Sequence, residues 1–243
     1  DNCLVLENKG IELYNILEVR QNSKPPFSAE IVCTIMYSVC TQLSRMHEVG
    51  VAHFDIKPEN ICIPYVGELD PMRDATNDDA WSWGEASLID FGGSVLVKPE
   101  VEYYQNKTGT AQAATMSVPY ILNKFGRDYA YSWKMRDMYA IGATVFVLCT
   151  GAFLAPRHPL SDKPTPSLDA TVRWNERATS SLKNLVYGLI GYDLEEEDEE
   201  EGGVMALPDS PSVTASWAAE SFASLKRELG GSGADVDVAE DTI

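Results

Sequence analysis

The chain has 243 residues, of which 37 are acidic and 19 basic, so its formal net charge is −18. This length is enough to bury a core, and a hydrophobic content of 44% is typical of a globular protein. Nucleic acids and anionic membranes both require a basic protein face, so the charge argues against either as a partner.

The acidic excess is confined to two segments. Residues 64–86 carry six acidic residues and one basic residue, and residues 193–243 carry 15 and two. The rest of the chain is balanced, with 16 of each. We therefore interpret the charge as a property of one internal insertion and one C-terminal stretch, and not of the folded core.

The five cysteines indicate a reducing compartment. Their number is odd, and they form no C-x-x-C pair or other spacing typical of metal ligands. Their apolar neighbours predict buried, reduced thiols, which indicates a cytoplasmic or nuclear protein.

In chain order, the first predicted elements are a short buried strand at 3–6 and a helix at 28–47. Apolar residues recur along 28–47 at helical spacing, and Ser28 and Gly50 are suited to cap the two ends. Three short apolar strands are predicted next, at 51–54, 61–63 and 86–89.

Residues 138–156 form the longest uncharged stretch, with 19 residues. Such a stretch is a candidate for a membrane span. Gly142 and Thr144 within it and Pro156 at its end favour a buried core helix instead, which is the interpretation that we adopt.

The C-terminal quarter alternates between helices and polar segments. Apolar spacing predicts a helix at 182–190 and an amphipathic helix at 214–229. The acidic run at 193–213 is expected to be flexible, because it has too few apolar side chains to pack, and 230–243 is expected to be a disordered tail.

Three motifs stand in order along the chain. The first is the run His53-Phe54-Asp55-Ile56-Lys57-Pro58-Glu59-Asn60. The second, Asp90-Phe91-Gly92, begins thirty residues after Asn60, and each of the two follows an apolar strand. The third, Asp-Met-Tyr-Ala-Ile-Gly, occupies 137–142. With these motifs, the chain resembles the eukaryotic protein kinase family, of the serine/threonine type, over residues 1–192.

The resemblance is to the larger, C-terminal lobe of the kinase fold. It implies a mainly α, protein-kinase-like C-lobe, helical with short β-hairpins around the catalytic loop, and a hinge at 6–10. The segment 64–86 is then an acidic insertion between two paired strands, which we interpret as a solvated loop. A basic partner for the acidic segments is the alternative. The helix at 214–229 belongs to the lobe or to the tail, and we favour the lobe.

The resemblance also implies roles for the motif residues. Asp55 would accept the proton of the substrate hydroxyl, and Lys57 would stabilise the charge on the γ-phosphate of ATP. Asn60 and Asp90 would bind the Mg²⁺ that carries the nucleotide phosphates.

Other residues are implied in nucleotide binding. The backbone of Glu7 to Lys9 would hold the adenine ring, with Leu6 at the gatekeeper position and Cys62 beneath the ring. Glu59, next to the magnesium ligand in the catalytic loop, is assigned to the same nucleotide site.

Lys57 bears on the substrate as well. In the family, a lysine two residues after the catalytic aspartate accompanies serine/threonine specificity, whereas small-molecule kinases with a similar loop lack it. The resemblance therefore implies a protein substrate with a serine or threonine hydroxyl.

The chain departs from the family pattern in three respects. Phe54 replaces the arginine of the first motif, and the family's A-P-E motif reads Val118-Pro119-Tyr120. The 243 residues contain no G-x-G-x-x-G loop and no V-A-I-K lysine, and the chain opens at Asp1 inside an apolar stretch. We interpret it as a kinase without its N-terminal lobe, and expect these residues alone to bind nucleotide weakly and transfer phosphate poorly.

Two functions stay open. The first is a serine/threonine protein kinase that uses ATP and Mg²⁺, and the second is a non-catalytic, kinase-like interaction module or pseudokinase. The presence of Asp55, Lys57, Asn60 and Asp90 favours the enzyme, since a scaffold has no need of these four residues together.

Overall fold

The computed structural model of the chain describes residues 7–20, 26–96, 133–151, 180–190 and 214–230. Within these ranges lie five α-helices and five short strands. The helices are α1 (Leu13–Arg20), α2 (Ala29–Glu48), α3 (Trp133–Thr150), α4 (Ser180–Ile190) and α5 (Ala215–Leu229). The strands are β1 (Ile11–Glu12), β2 (Val51–Ala52), β3 (Ile61–Ile63), β4 (Ser87–Leu88) and β5 (Val95–Leu96).

Helix α2 is at the centre of the fold, and both of its predicted ends are confirmed. The Ser28 side chain accepts a hydrogen bond from the Ile31 N–H at 3.2 Å, which satisfies a donor that the first helical turn leaves without a partner. After the helix, Gly50 adopts a φ of 76°, a left-handed conformation that glycine tolerates without strain. The apolar face of α2 is buried along the whole length of the helix.

The other long helices assemble around α2. Helix α5 packs along α2, while α3 packs against both α2 and α4. The amphipathic helix expected at 214–229 is therefore present, with Thr214 as its N-cap and Phe222 fully buried in the common core.

Helix α3 occupies most of the uncharged stretch. It ends at Thr150, and Gly151 follows with a φ of 70°, so it stops before Pro156. Its described apolar side chains lie in the core with those of α2, which confirms the buried helix. Among the described helices, none combines the length and apolarity that crossing a membrane requires.

The strands form two small antiparallel sheets. One has the order β1–β3–β4, with Ile11 opposite Ile63 and Ile61 opposite Leu88, and the other pairs β2 with β5. The predicted strand 61–63 is observed with the same bounds, while those at 51–54 and 86–89 shorten to two residues each. The strand predicted at 3–6 lies outside the described residues.

Residues 11–20 form two elements that the sequence pattern did not reveal. Strand β1 has two residues and α1 has eight, which is one period of a strand and about two turns of a helix, too few for a clear apolar pattern. Gly10 lies so close to β3 that a Cβ there would come within 2.1 Å of the Ile63 carbonyl oxygen. The approach of β1 to β3 therefore requires a glycine at this position.

The acidic insertion 64–86 lies between the paired strands β3 and β4, but the prediction of a solvated loop is wrong. The Val66 N–H donates to the Ala80 carbonyl at 2.9 Å, and Tyr65 and Trp81 form an isolated β-bridge. Trp81 and Trp83 are buried in the core cluster that contains α2. The segment folds because its aromatic side chains bury apolar surface, while most of its acidic side chains stay at the surface.

Four of the five cysteines lie in the described residues, and all four are free thiols and buried. Burial raises the pKa of the Cys33 thiol to about 12, and raises the pKa of Cys40 and Cys149 in the same direction. The prediction of buried, reduced thiols is confirmed for these four. The acidic run 193–213, the tail from 231 onward and Val118-Pro119-Tyr120 lie outside the described residues.

Arg20, at the end of α1, ties the insertion to the helical core. Its side chain is 4% exposed, and it donates to the carbonyl oxygens of Ala75 and Pro26 and to the Asp78 carboxylate at 2.6 Å. The guanidinium carbon also lies 5.2 Å from the centroid of the Trp83 ring. A buried cation needs such partners, and here most of them belong to the insertion.

Replacing Arg20 by methionine should therefore destabilise the protein. Arg20→Met keeps much of the volume but leaves two buried carbonyl oxygens without their donor, at an expected cost of about 2–4 kcal/mol in the free energy of unfolding. Urea unfolding measures this, and Arg73→Met, at an exposed arginine of the insertion, is the matched control with an expected change below about 0.5 kcal/mol. Equal midpoints for Arg20→Met and the wild type would show that Arg20 does not hold the insertion.

Candidate active site

The first motif forms a loop between β2 and β3 in which three polar side chains meet. The Asn60 amide nitrogen donates to the Asp55 carbonyl at 2.7 Å and to the Asp55 carboxylate at 2.9 Å. Lys57 Nζ lies 3.0 Å from the same carboxylate oxygen. The structure therefore brings Asp55, Lys57 and Asn60 together around one carboxylate, which remains partly accessible to solvent.

The backbone of this loop is held by a carboxylate from α3. Asp137 is 0% exposed, and its Oδ1 accepts from the Phe54 N–H at 2.8 Å while its Oδ2 accepts from the His53 N–H at 2.9 Å. His47 Nε2, in the last turn of α2, lies 2.9 Å from Oδ2 as well. The end of α2 and the loop that follows β2 thus converge on one buried side chain, which α3 supplies from more than 80 residues further along the chain.

The backbone conformation of Phe54 shows why the loop needs these hydrogen bonds to Asp137. Its φ is 66°, which is unfavourable for a residue with a bulky side chain and costs about 1–2 kcal/mol. The hydrogen bond from the Phe54 N–H to Asp137 and the burial of the ring, which is 1% exposed, offset this cost. The turn carries the chain from β2 into Asp55 in a fixed conformation.

His53 connects the loop to the second motif. Its Nδ1 accepts from the Asp55 N–H at 3.3 Å, so the ring proton is on Nε2, which donates to the Ile89 carbonyl at 3.1 Å. Burial lowers the pKa of His53, which keeps the ring neutral as both contacts require. The ring also lies against Phe91, with centroids 5.4 Å apart.

Asp90 lies two residues after the end of β4, the strand that pairs with β3. The Ile89 N–H donates to the Asn60 carbonyl at 3.0 Å, which fixes the start of the second motif beside the first. Asp90 has a φ of 60°, and its Oδ1 accepts from the Gly92 N–H at 3.1 Å. Gly93 in the same turn packs against Asp55, since a Cβ there would lie 3.6 Å from the Asp55 Cβ.

Asn60 and Asp90 together fit the requirements of Mg²⁺. Because the Asn60 amide nitrogen donates to Asp55, the amide oxygen is the group that is left to act as a ligand. Mg²⁺ is commonly bound by one or two protein oxygens, with phosphates and water completing its coordination. Within the described ranges, no group of three or more His, Cys, Asp or Glu side chains could hold a metal. These residues therefore suit a Mg²⁺ site in which the protein supplies two ligands and phosphates supply others.

The residues assigned to nucleotide binding come from two parts of the chain, one before β1 and one around the start of β3. Glu7 and Lys9 are exposed and paired with each other at 2.7 Å, while Glu59 is half-buried in the turn that contains Asn60. Cys62 is buried in β3 opposite Glu12, and Leu6 lies outside the described residues. Their roles toward a nucleotide stay predictions.

Two contacts of this site were not predicted from the sequence. His47 reaches Asp137 across 90 residues of chain, and the Ser94 hydroxyl donates to the His53 carbonyl at 3.3 Å. Histidine and serine at these positions carry no local signal, because both lie next to motifs without being part of them.

Comparison with known proteins agrees with the motifs. The sequence model of the protein kinase domain matches residues 2–196. The chain is 26% identical over 164 residues to serine/threonine-protein kinase AFC2 of Arabidopsis thaliana, which covers 64% of this chain and 35% of that protein. It is 27% identical over 156 residues to homeodomain-interacting protein kinase 1 of Mus musculus. This match covers 63% of this chain and 11% of that protein. The chain therefore spans about a third or less of the length of these curated relatives.

Replacing Asp137 should weaken the fold through the loop. In Asp137→Asn, the amide has one acceptor oxygen where the carboxylate has two, so a buried backbone N–H loses its partner, at a cost of about 2–3 kcal/mol in the free energy of unfolding. Urea unfolding measures the change. Thr144→Val in the same helix is the control; it removes only the Thr144 hydroxyl bond to the Ala140 carbonyl and should cost about 1 kcal/mol or less. Equal costs for the two variants would contradict a special role for Asp137.

His53 should make the stability depend on pH. The unfolded chain takes up a proton near the ordinary histidine pKa of 6.5, whereas the folded protein resists it because the folded pKa is lower. The free energy of unfolding is therefore expected to fall as the pH drops below about 6.5. Urea unfolding gives the free energy of unfolding at each pH between about 7 and 5.5. Its slope against pH should be shallower in His53→Gln than in the wild type, by up to about 1.4 kcal/mol per pH unit. An identical slope in the variant would mean that His53 is protonated equally in both states.

Proposed function

Because the chain belongs to the protein kinase family, we propose that it forms the C-terminal lobe of a serine/threonine protein kinase, which transfers the γ-phosphate of ATP to a protein hydroxyl. The observation that carries this proposal is the meeting of Asp55, Lys57 and Asn60 on one loop whose backbone is fixed by Asp137. Phosphoryl transfer depends on positioning and on charge stabilisation, and a fixed loop with these side chains supplies both.

Asp55 is the proposed base. Its carboxylate is held by the Asn60 amide from within the loop, so it can accept the proton of an incoming hydroxyl while keeping its position. Lys57, which lies against the same carboxylate, is close enough to stabilise negative charge on a phosphate that approaches Asp55. The pairing of the two also compensates part of the negative charge of the site before the substrate binds.

Asn60 and Asp90 are the proposed ligands of Mg²⁺. The bound ion would neutralise charge on the β- and γ-phosphates of ATP. On the protein side, the Asn60 carbonyl contact to the Ile89 N–H and the turn around Asp90 hold the two ligands on adjoining segments. We assign Leu6, Glu7, Lys9, Glu59 and Cys62 to the nucleotide site on the strength of the resemblance alone.

Serine/threonine specificity is supported by two findings. Lys57 stands two residues after Asp55, as in the family members with that specificity. The names of the similar proteins from Arabidopsis thaliana also include serine/threonine-protein kinase. We therefore propose a protein substrate with a serine or threonine hydroxyl.

Helix α5 is proposed to complete the lobe. It lies beyond residues 2–196, which match the kinase domain, yet it packs along α2 and buries Phe222 in the same core. We therefore extend the folded unit to Leu229, with the acidic segment 193–213 connecting it to α4.

The non-catalytic alternative concerns the parts of the kinase fold that bind ATP. The 243 residues contain neither a G-x-G-x-x-G loop nor a V-A-I-K lysine, and these parts cover and anchor ATP in the family. The coding sequence that precedes Asp1 discriminates between the two functions. A glycine-rich loop and a strand lysine there would favour the kinase, and an in-frame start without them would favour the interaction module.

Two substitutions test the assignment of roles. Asp55→Asn should reduce phosphoryl transfer by at least about 10²-fold with Mg²⁺-dependent ATP binding unchanged, because it removes the base but no metal ligand. Asp90→Asn should reduce transfer and also weaken Mg²⁺-dependent ATP binding, because it removes a metal ligand. Both variants are made in the full-length protein, with any segment encoded upstream of Asp1 included. Transfer is measured with γ-labelled ATP on a serine/threonine peptide library, and ATP binding by calorimetry with and without Mg²⁺.

Glu18→Gln, at an exposed glutamate of α1, is the control and should leave both readings at the wild-type value. Wild-type transfer by both Asp55→Asn and Asp90→Asn would show that the roles are wrongly assigned. No transfer and no Mg²⁺-dependent ATP binding by the wild-type full-length protein, with any segment encoded upstream of Asp1 included, would support the interaction module.

A further inference from the structure

The insertion 64–86 exposes three large aliphatic side chains within seven residues. Val66 is 58% exposed, Leu69 is 69% exposed and Met72 is 37% exposed. Single exposed aliphatic residues are common on protein surfaces, but a local group of them indicates a binding surface. We call these three residues the aliphatic patch.

The backbone beneath the aliphatic patch is fixed. The Tyr65 hydroxyl accepts from the Leu69 N–H at 3.0 Å and donates to the Asp74 carboxylate at 2.6 Å. Asp70 Oδ1 accepts from the Met72 N–H at 2.9 Å, and a Cβ at Gly67 would lie 2.5 Å from the Tyr65 hydroxyl oxygen. The turn is therefore tight and internally bonded, and it holds the aliphatic side chains outward.

The exposed surface of the insertion that contains the aliphatic patch is acidic. Four other exposed residues of the insertion carry carboxylates that are available to solvent: Glu68, Asp70, Asp79 and Glu85. The insertion has one basic residue, Arg73, and the carboxylate of Asp78 is paired with Arg20. An occupant must therefore supply aliphatic side chains and positive charge together.

Charge also excludes other occupants. The acidic run 193–213 of the same chain and nucleic acids would both be repelled. A second copy bound about a two-fold axis would place two acidic insertions against each other. A basic, aliphatic segment of another protein is the occupant that the chemistry accepts.

We propose that the aliphatic patch and the exposed carboxylates of the insertion form a docking surface for a short segment of a partner protein that combines lysine or arginine with aliphatic residues. The surface begins at the end of β3 that points away from Asn60, about 10 Å along the strand from that residue. Docking there leaves the catalytic loop open. The proposal goes beyond the proposed function, because binding at this surface requires neither ATP nor phosphoryl transfer.

Fluorescence anisotropy with labelled peptides tests the proposal in the absence of nucleotide. The first peptide alternates lysine or arginine with leucine, the second keeps the charges but replaces leucine by serine, and the third keeps leucine but replaces the bases by glutamate. We expect the first to bind at least about tenfold more tightly than either of the others. Equal binding of the first two would overturn the proposal, because charge alone would then account for the interaction.

Variants of the protein identify the surface. The double variant Val66→Ser and Leu69→Ser should weaken binding of the first peptide at least about fivefold. Val49→Ser is the matched control, because Val49 is 68% exposed but lies outside the insertion, and it should leave the affinity unchanged. Equal affinity of the double variant and the wild type would overturn the proposal.

A photoreactive form of the first peptide tests the site on the wild-type protein, whatever the folding of the variants. Its crosslinks should map to residues 64–86 by mass spectrometry, and crosslinks confined to other residues would contradict the proposal. Sedimentation measures self-association: a dimer that the double variant dissociates would show that a second copy is the occupant and would also overturn it. Because none of these readings involves ATP, their failure is distinguishable from failure of the kinase assignment.

Discussion

The fold and the candidate site depend on one buried carboxylate. Asp137 accepts hydrogen bonds from the backbone of His53 and Phe54, and it contacts His47 at the end of α2. A buried charge is tolerated only when its hydrogen bonds are made, so the carboxylate requires the loop to adopt this conformation as much as the loop requires the carboxylate. The strained turn at Phe54 follows from this mutual requirement. It delivers Asp55 to the position where Lys57 and Asn60 surround it.

A buried cation has the corresponding role at the insertion. Arg20 donates to two carbonyl oxygens and to Asp78, and it lies over the rings of Phe27 and Trp83. In both places, an ion with satisfied partners joins segments that are far apart in the sequence. The catalytic loop, which precedes β3, is fixed by α3, and the insertion, which follows β3, is fixed to α1.

The sequence was sufficient where the signal is local. Apolar periodicity with Ser28 and Gly50 located α2 within a residue at each end, and the spacing from His53 to Asp90 identified the family. The short strand 61–63 was recognisable because Gly- and Pro-free apolar residues follow the catalytic loop directly. The caps and the strand depend on residues a few positions apart, and the motifs are recognisable from the identity and order of their residues, so the sequence alone was enough for each of them.

The sequence was insufficient where the interaction is distant. The contact from His47 to Asp137 spans 90 residues and that from Arg20 to Ala75 spans 55. The insertion was misread for a related reason: its six carboxylates dominate the composition, whereas its fold depends on where Tyr65, Trp81 and Trp83 meet in space. Net charge describes the solvent face of this segment, and the buried aromatic side chains decide its structure.

Native-state amide hydrogen exchange at His53 and Phe54 tests the central claim most directly, namely that Asp137 fixes the catalytic loop. If the claim is right, both amides exchange only when the whole protein unfolds, with an opening free energy equal to the free energy of global unfolding. Exchange of these two amides through local opening, at rates close to those of unprotected surface amides, would contradict it.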